Sequence, residues 1–201
     1  MVYVGRIVAV GKTGRPFVAY RVSSRSFPNR IARIDDTGVV IEPLDPDDLK
    51  RNPYITYNCI RVSEKAAVVA NGAHTDSIFD ELKNGAAPEV ALQKVLTEMG
   101  YEKDELSTPR IAGVVAGATG FLGVARADGV EVTGFGLEDN SCRLICTYEM
   151  DRVETRGYPF LATSALDAAK YMVEGGLFRG FDKPICSAAW MGEFAVYNPH
   201  T

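Results

Sequence analysis

Short runs of alternating apolar and polar residues, cut by Gly, Pro and Asn, fill most of this chain, and that pattern constrains its fold more than any other feature. Residues 2–10 and 17–23 read as strands joined through residues 11–16 into a hairpin. Residues 31–34 and 39–42 flank Asp36-Thr37-Gly38 as a second hairpin. Residues 43–53 hold Pro43, Pro46 and Pro53 among acids and read as a surface loop or a short turn of helix. Further strands are expected at 54–62, 66–70, 110–117, 121–126, 130–136 and 142–150. Residues 185–197 close the chain as one long or broken strand with Trp190. Helical stripes interrupt three times. Thr75 or Asp76 caps Ile78, Phe79 and Leu82; Pro88 opens Ala91, Leu92, Val95, Leu96 and Met99; Thr163 or Ser164 caps Leu166, Ala169 and Met172. Strands beside strands, with helices grouped, exclude alternating βαβ units. They predict an α+β fold of mostly antiparallel sheets in a single domain over residues 1–201.

Charge is divided unevenly. The chain carries 22 Lys and Arg against 26 Asp and Glu. Yet residues 1–34 hold Arg6, Lys12, Arg15, Arg21, Arg25, Arg30 and Arg33 and no acid, so this segment carries +7 and the remainder −11. Such asymmetry points to an anionic partner. An acidic total with no basic helix or paired aromatic platform argues against extended nucleic-acid binding. The longest uncharged stretch, 111–125, has 15 residues including four glycines. It falls short of the ~20 apolar residues that span a bilayer. Residues 1–6 lack the apolar core of a signal peptide, so the expected location is the cytoplasm, without membrane association. Cys142 and Cys146 share a strand face about 13 Å apart, too far for a disulfide, and Cys59 and Cys186 are isolated. All four read as buried, reduced thiols. With His74 and His200 the only histidines, a several-histidine metal site is excluded.

Four constellations carry candidate chemistry. Gly117-Ala-Thr-Gly120-Phe-Leu-Gly123 has the glycine spacing of a dinucleotide-binding turn. Arg126-Ala127-Asp128-Gly129 interrupts the helix such a turn needs, so glycines serving close strand packing are expected instead. Arg21 and Ser23 share a strand face with Ala19, and Ser24, Arg25, Ser26, Asn29 and Arg30 follow. Guanidinium and hydroxyl groups in that density suit a phosphate. Asn71-Gly72-Ala73-His74 sits between a strand and a helix, where an amide can read a purine-like edge. The loop after Gly100 offers Glu102 and Glu105 as a carboxylate base.

Taken together, Tyr3-Val-Gly-Arg6, the stretch from Pro16 to Arg30 ending Arg-Val-Ser-Ser-Arg-Ser-Phe-Pro-Asn-Arg, Asn52-Pro-Tyr-Ile-Thr-Tyr-Asn-Cys59, Val69-Ala-Asn-Gly72 with His74-Thr-Asp76, and Thr108-Pro-Arg-Ile-Ala-Gly113 resemble the archaeal inosine monophosphate cyclohydrolases over essentially the whole chain. The resemblance implies a four-layer αββα sandwich of two antiparallel sheets, like the N-terminal-nucleophile hydrolases. It implies closure of formamidoimidazole carboxamide ribonucleotide to inosine monophosphate with loss of water, the last step of de novo purine synthesis. Arg30 as oxyanion stabiliser and Glu102 as proton acceptor are the implied catalytic residues, with Glu105 the substitute. Arg21, Ser23, Arg25 and Ser26 are the expected phosphate and ribose contacts, and Tyr57, Asn58, Asn71 and Gly113 the expected contacts to the base. Arg6, Arg15 and Arg33 are expected on the surface. No metal or cofactor is implied, and the family assembles into homo-oligomers. Met1-Val2 presents no N-terminal nucleophile, and cleavage before Cys59 would remove the arginine-rich segment, so no covalent nucleophile is expected. An amide hydrolase of the N-terminal-nucleophile type and a non-catalytic purine-nucleotide binding protein are the alternative readings.

Overall fold

A strand with one apolar side buries that side only against a second layer, and here two sheets supply it for each other. The computed structural model describes residues 2–154 and 156–200. The first strands are β1 (Arg6–Thr13), β2 (Arg15–Ser23), β3 (Arg30–Asp35) and β4 (Gly38–Pro43). A one-turn helix α1 (Asp48–Arg51) precedes β5 (Tyr57–Val62) and β6 (Ala67–Ala70). Helices α2 (His74–Lys83) and α3 (Pro88–Met99) lead to β7 (Arg110–Ala116), β8 (Thr119–Arg126), β9 (Gly129–Gly136), β10 (Ser141–Cys146) and β11 (Tyr158–Pro159). Helix α4 (Ala165–Glu174), β12 (Pro184–Trp190) and β13 (Phe194–Tyr197) complete the order. One sheet runs β11-β10-β1-β2-β12-β13, the other β3-β4-β5-β6-β7-β8-β9, and the ladders are antiparallel. The protein is thus α+β with two antiparallel sheets and four helices among the described residues.

Alternation sorts the side chains into three cores. Val8, Val10, Val18, Tyr20 and Val22 of one sheet meet Ile41, Cys59, Val69, Ile111 and Leu122 of the other. On the outer face of the first sheet Ile7, Ala9, Phe17 and Ala19 pack against Ala165, Ala169 and Met172 of α4. On the outer face of the second, Val68, Ala70, Ala112 and Val114 pack against Ile78 of α2 and Leu92 and Leu96 of α3. The layers are therefore helix, sheet, sheet, helices, consistent with a sandwich.

The glycine-rich stretch falls in a β-hairpin and leads into no helix. Gly117 takes φ +58° in the β7–β8 turn. A Cβ on Gly120 would lie 2.8 Å from Val10 Cγ1, and one on Gly123 would lie 2.7 Å from Leu96 Cδ1. Those glycines let the layers approach, as the sequence suggested. Two local expectations are corrected. Helix α2 starts at His74 with Ala73 as its N-cap. Thr75 Oγ1 instead donates to Gly72 O at 2.8 Å, and the Asp76 carboxylate accepts from Asn58 and Arg61. Residues 185–197 form two paired strands turning at Met191, whose N–H donates to Glu193 O. By contrast Ser164 caps α4 as expected, accepting from Asp167 N at 3.1 Å, and all four cysteines are buried free thiols.

Gly113 lies against the opposite sheet: a Cβ there would meet Val10 Cγ2 at 2.5 Å and Val8 Cγ1 at 3.0 Å. Gly113→Ala should lower the unfolding free energy by about 1–3 kcal/mol, the usual cost of overpacking. Gly136→Ala, with nothing within 4 Å of the new methyl, should leave it unchanged or slightly raised in the same denaturant titration.

Candidate functional site

Inward-facing positions are apolar through the middle of the sandwich and become charged at one end. On β1, Arg6 shares a face with Val8 and Val10, so alternation turns its guanidinium between the sheets. On β3, Arg30 shares a face with buried Ala32; on β5, Tyr57 shares one with Cys59. These residues open their strands, at the end of the sandwich where the β7 start brings Arg110 and the loop after α3 brings Glu102. Gly5 makes the approach possible. It takes φ +72°, and a Cβ there would collide with Thr147 and Tyr148. Arg6 N then donates to Thr147 Oγ1 at 3.0 Å.

Glu102 is 2% exposed and is held on both sides by cations. Arg6 Nη2 lies 3.5 Å from its Oε2, and Arg110 Nη1 lies 3.6 Å from its Oε1. Burial raises its pKa above the ordinary 4.5; Arg6 and Arg110 pull it down, Asp104 pushes it up and Arg30 pulls it down, with burial the largest influence. Burial opposes the charge on Arg6, but Glu102 and the hydroxyls of Tyr57, Tyr20 and Tyr148 outweigh it, so Arg6 holds its proton more tightly than usual. Both ionic contacts are too long to satisfy the carboxylate fully: among the described residues Oε1 has no hydrogen-bond partner, nor do Arg110 Nε and His74 Nδ1. These three side chains flank Gly72. An imagined Cβ on that glycine would stand 3.2 Å from Glu102 Oε1, 3.2 Å from His74 Nδ1 and 3.3 Å from Arg110 Nη1. His74 Nε2 contacts Ile111 O at 3.0 Å, and burial lowers the ring's pKa to about 3. The imidazole is therefore neutral at physiological pH, with Nε2–H donating to that carbonyl and Nδ1 an acceptor.

The loop carrying Glu102 is braced. Its N–H donates to Thr108 O at 2.8 Å, and Asp104 accepts from both Thr108 N and Thr108 Oγ1. Thr108 Oγ1 also lies 3.0 Å from the Tyr148 hydroxyl. Tyr148 stacks on Tyr3, and the Arg25 guanidinium lies 4.2 Å from the centre of the Tyr3 ring. Arg25 and Ser26 are exposed on the loop between β2 and β3. That loop is held by Phe27 N donating to Ser24 Oγ and Arg30 Nε donating to Phe27 O.

The structure thus brings together Arg30, Tyr57 and Glu102 of the expected site, with Arg25 and Ser26 nearby on an exposed loop. It adds Arg6 and Arg110. Arg6 was expected on the surface; the signal against that placement was its even spacing with Val8 and Val10. Glu105 is exposed, so Glu102 is the buried carboxylate. Arg15 and Arg33 are surface residues as expected, Arg33 pairing with Glu42 at 2.9 Å.

Four expected residues are not brought to this cluster. Arg21 faces α4, completely buried, and spends all five N–H donors: on Ser23 Oγ, Met172 O, Phe178 O, Phe181 O and Asp182 O. Burial lowers its pKa to about 10, so it remains a cation, stationed at the C-terminal end of α4. Ser23 is its acceptor. Asn58 lies on the outer face, donating to Asp76 at 2.9 Å. Gly113 is covered by Val8 and Val10. Asn71 does lie near the cluster, but its amide is occupied: Nδ2 donates to Pro109 O and Oδ1 accepts from Ile111 N at 2.7 Å. Among the described residues no group of His, Cys, Asp and Glu is arranged to hold a metal, and no helix is long and apolar enough to cross a membrane.

Arg21→Met should lower the unfolding free energy by at least about 3 kcal/mol, because several buried carbonyls lose their donors together. The calorimetric response of the folded protein to an added nucleotide monophosphate should be the same as that of the wild type. A phosphate-binding Arg21 would show the reverse pattern.

A family model described as "IMP cyclohydrolase-like protein" matches residues 3–194. A protein of Methanothrix thermoacetophila named IMP cyclohydrolase is 45% identical over 203 residues, covering 98% of this chain and 99% of its own. One of the same name from Methanocella arvoryzae is 46% identical, covering 98% of each. Another from Methanocaldococcus jannaschii is 40% identical over 190 residues, covering 92% of each. With the family model spanning nearly the whole chain and relatives this close over nearly their full lengths, the chain belongs to the IMP cyclohydrolase-like family.

Proposed function

We propose that this protein closes formamidoimidazole carboxamide ribonucleotide to inosine monophosphate with release of water, the final step of purine ribonucleotide synthesis. The observation that carries the reading is Glu102, a buried carboxylate with a raised pKa and one oxygen free of hydrogen bonds, set between Arg6 and Arg110.

Both reacting groups belong to one substrate molecule, so the protein's task is to orient them and move protons. The carboxamide nitrogen attacks the formyl carbon, a C–N bond forms, and the formyl C=O becomes an oxyanion. Glu102 takes the proton that the carboxamide nitrogen gives up. Desolvation makes this carboxylate a better proton acceptor than one in water. Arg30, with Arg6, supplies positive charge for the oxyanion. Glu102 then returns its proton to the oxygen to give a hydroxyl, and the former formamide N–H proton passes to that hydroxyl as the C–O bond breaks, so that water leaves and the ring C=N forms. Nothing in this sequence requires a metal or a redox partner. Arg25 and Ser26 on the exposed loop suit the ribose phosphate.

Several features support the same reading. The layered sheets fit an N-terminal-nucleophile-hydrolase-like sandwich acting as a single catalytic domain; the family resemblance, not the sheets, carries the proposal that it works in the cytoplasm and as a homo-oligomer. Use of that fold's covalent chemistry at Cys59 is disfavoured: the thiol is completely buried within β5, and burial raises its pKa well above the usual value.

Purified protein incubated with the formamido ribonucleotide in chelator should form inosine monophosphate; formation no faster than the uncatalysed background overturns the proposal. Glu102→Gln should lower kcat by about 10²–10⁴, and Arg30→Met by about 10²–10³. Since folding raises the Glu102 pKa, its contribution to stability is greatest at low pH and is lost as pH rises through that pKa. The neutral amide should therefore not lower the melting temperature at neutral pH, which separates lost chemistry from lost structure.

A further inference from the structure

Two tyrosine hydroxyls meet across the gap between the sheets. Tyr20 on β2 and Tyr57 on β5 lie edge to face, ring centres 6.3 Å apart and planes at 82°. Their oxygens are 2.7 Å apart. Each hydroxyl owns one proton, and one contact uses only one of them.

The surroundings decide which. Tyr20 is completely buried in the core between the sheets, and Tyr57 is the hydrogen-bond partner of its hydroxyl among the described residues. A Tyr20 proton turned elsewhere would be a buried donor without an acceptor. Tyr57 is different. It is 7% exposed, and the charge of Arg30 is felt there in addition to that of Arg6, which reaches Tyr20 as well. Those guanidiniums are donors only, so neither accepts the Tyr57 proton. We propose that Tyr20 donates to Tyr57, and that Tyr20 is thereby a positioning residue that makes Tyr57 a hydrogen-bond donor facing the substrate. Its oxygen is fixed by accepting from Tyr20, and its own proton is left for an acceptor in the site. On the ring-closure reading, on which this last step rests, the acceptor is the formyl oxygen as it gains charge. Tyr57 then works beside Arg30 as an oriented neutral donor, and Tyr20 touches no substrate atom.

A double-mutant cycle on ring closure reads this coupling. Tyr57→Phe should lower kcat about 100-fold, the lower end of what loss of one oriented donor costs. Tyr20→Phe should lower kcat about 3- to 10-fold with KM within about twofold, because the Tyr57 hydroxyl then rotates freely but survives. In the Tyr57→Phe background, Tyr20→Phe should cost nothing further. A tyrosine that merely packs would cost the same factor in both backgrounds; that result, full activity of Tyr57→Phe, or full activity of Tyr20→Phe, overturns the proposal. Neutron diffraction from a deuterium-exchanged crystal of the wild-type protein decides the proton's place without any turnover. A deuteron on the Tyr20 oxygen aimed at Tyr57 supports the proposal, and one on Tyr57 aimed at Tyr20 overturns it. Failure of the wild-type protein to make inosine monophosphate would remove the ring-closure reading alone, with the neutron map still deciding which hydroxyl donates.

Discussion

A carboxylate taken out of water has to be surrounded by positive charge, and the architecture of this end of the protein follows from meeting that demand for Glu102. Arg6 approaches one oxygen and Arg110 the other, at 3.5 and 3.6 Å. Each arginine opens a strand, so its backbone is fixed by a ladder while its head reaches past the apolar core. Gly5 lets β1 pass close to Thr147 and Tyr148, and Gly113 lets the sheets close on one another behind the site. The sandwich therefore acts as a frame. Its middle is dry and tightly packed, and its rim collects the side chains that the alternation can no longer bury among apolar neighbours.

Such a site is held together at the expense of stability. Among the described residues Glu102 Oε1, Arg110 Nε and His74 Nδ1 are buried without hydrogen-bond partners, on three side chains that surround the bare Cα of Gly72. Groups in that condition are costly in a core that serves only folding. In the proposed ring closure they give a carboxylate readier to take a proton and fixed donors that need no reorganisation when charge develops. The stability comes from elsewhere, from three apolar cores and from devices such as Arg21, four of whose five donors tie β2 to main-chain carbonyls around the end of α4.

Much of this was legible in the sequence, and the remainder was hidden for physical reasons. Period two placed the strands, and grouped helices gave α+β. Arg126 to Gly129 correctly denied a helix to the glycine-rich stretch. Alternation also put Arg21 on the same face as Ala19, but it does not say whether that face meets a ligand or a helix. That depends on which element covers it, and α4 lies well over a hundred residues away in the chain. The same long range hides the pairing of β2 with β12 and β1 with β10. Arg6 was the opposite case. Its spacing from Val8 and Val10 marked an inward residue, whereas total charge suggested only surface. Asn58 and Tyr57, adjacent in sequence, point to opposite faces of β5, so at most one of them could serve a site between the sheets.

On the proposed function Glu102, desolvated and flanked by arginines, accepts the proton that ring closure releases, and the pH dependence of kcat/KM for formation of inosine monophosphate reads that role. A base works only when ionised, so the rate should fall toward acid with a midpoint above the ordinary carboxylate value of 4.5, and Glu102→Gln should lose that limb together with the activity. A wild-type rate that stays level through 4.5 and below, or a Glu102→Gln enzyme that keeps both the rate and the acid limb, would show that Glu102 is not the base.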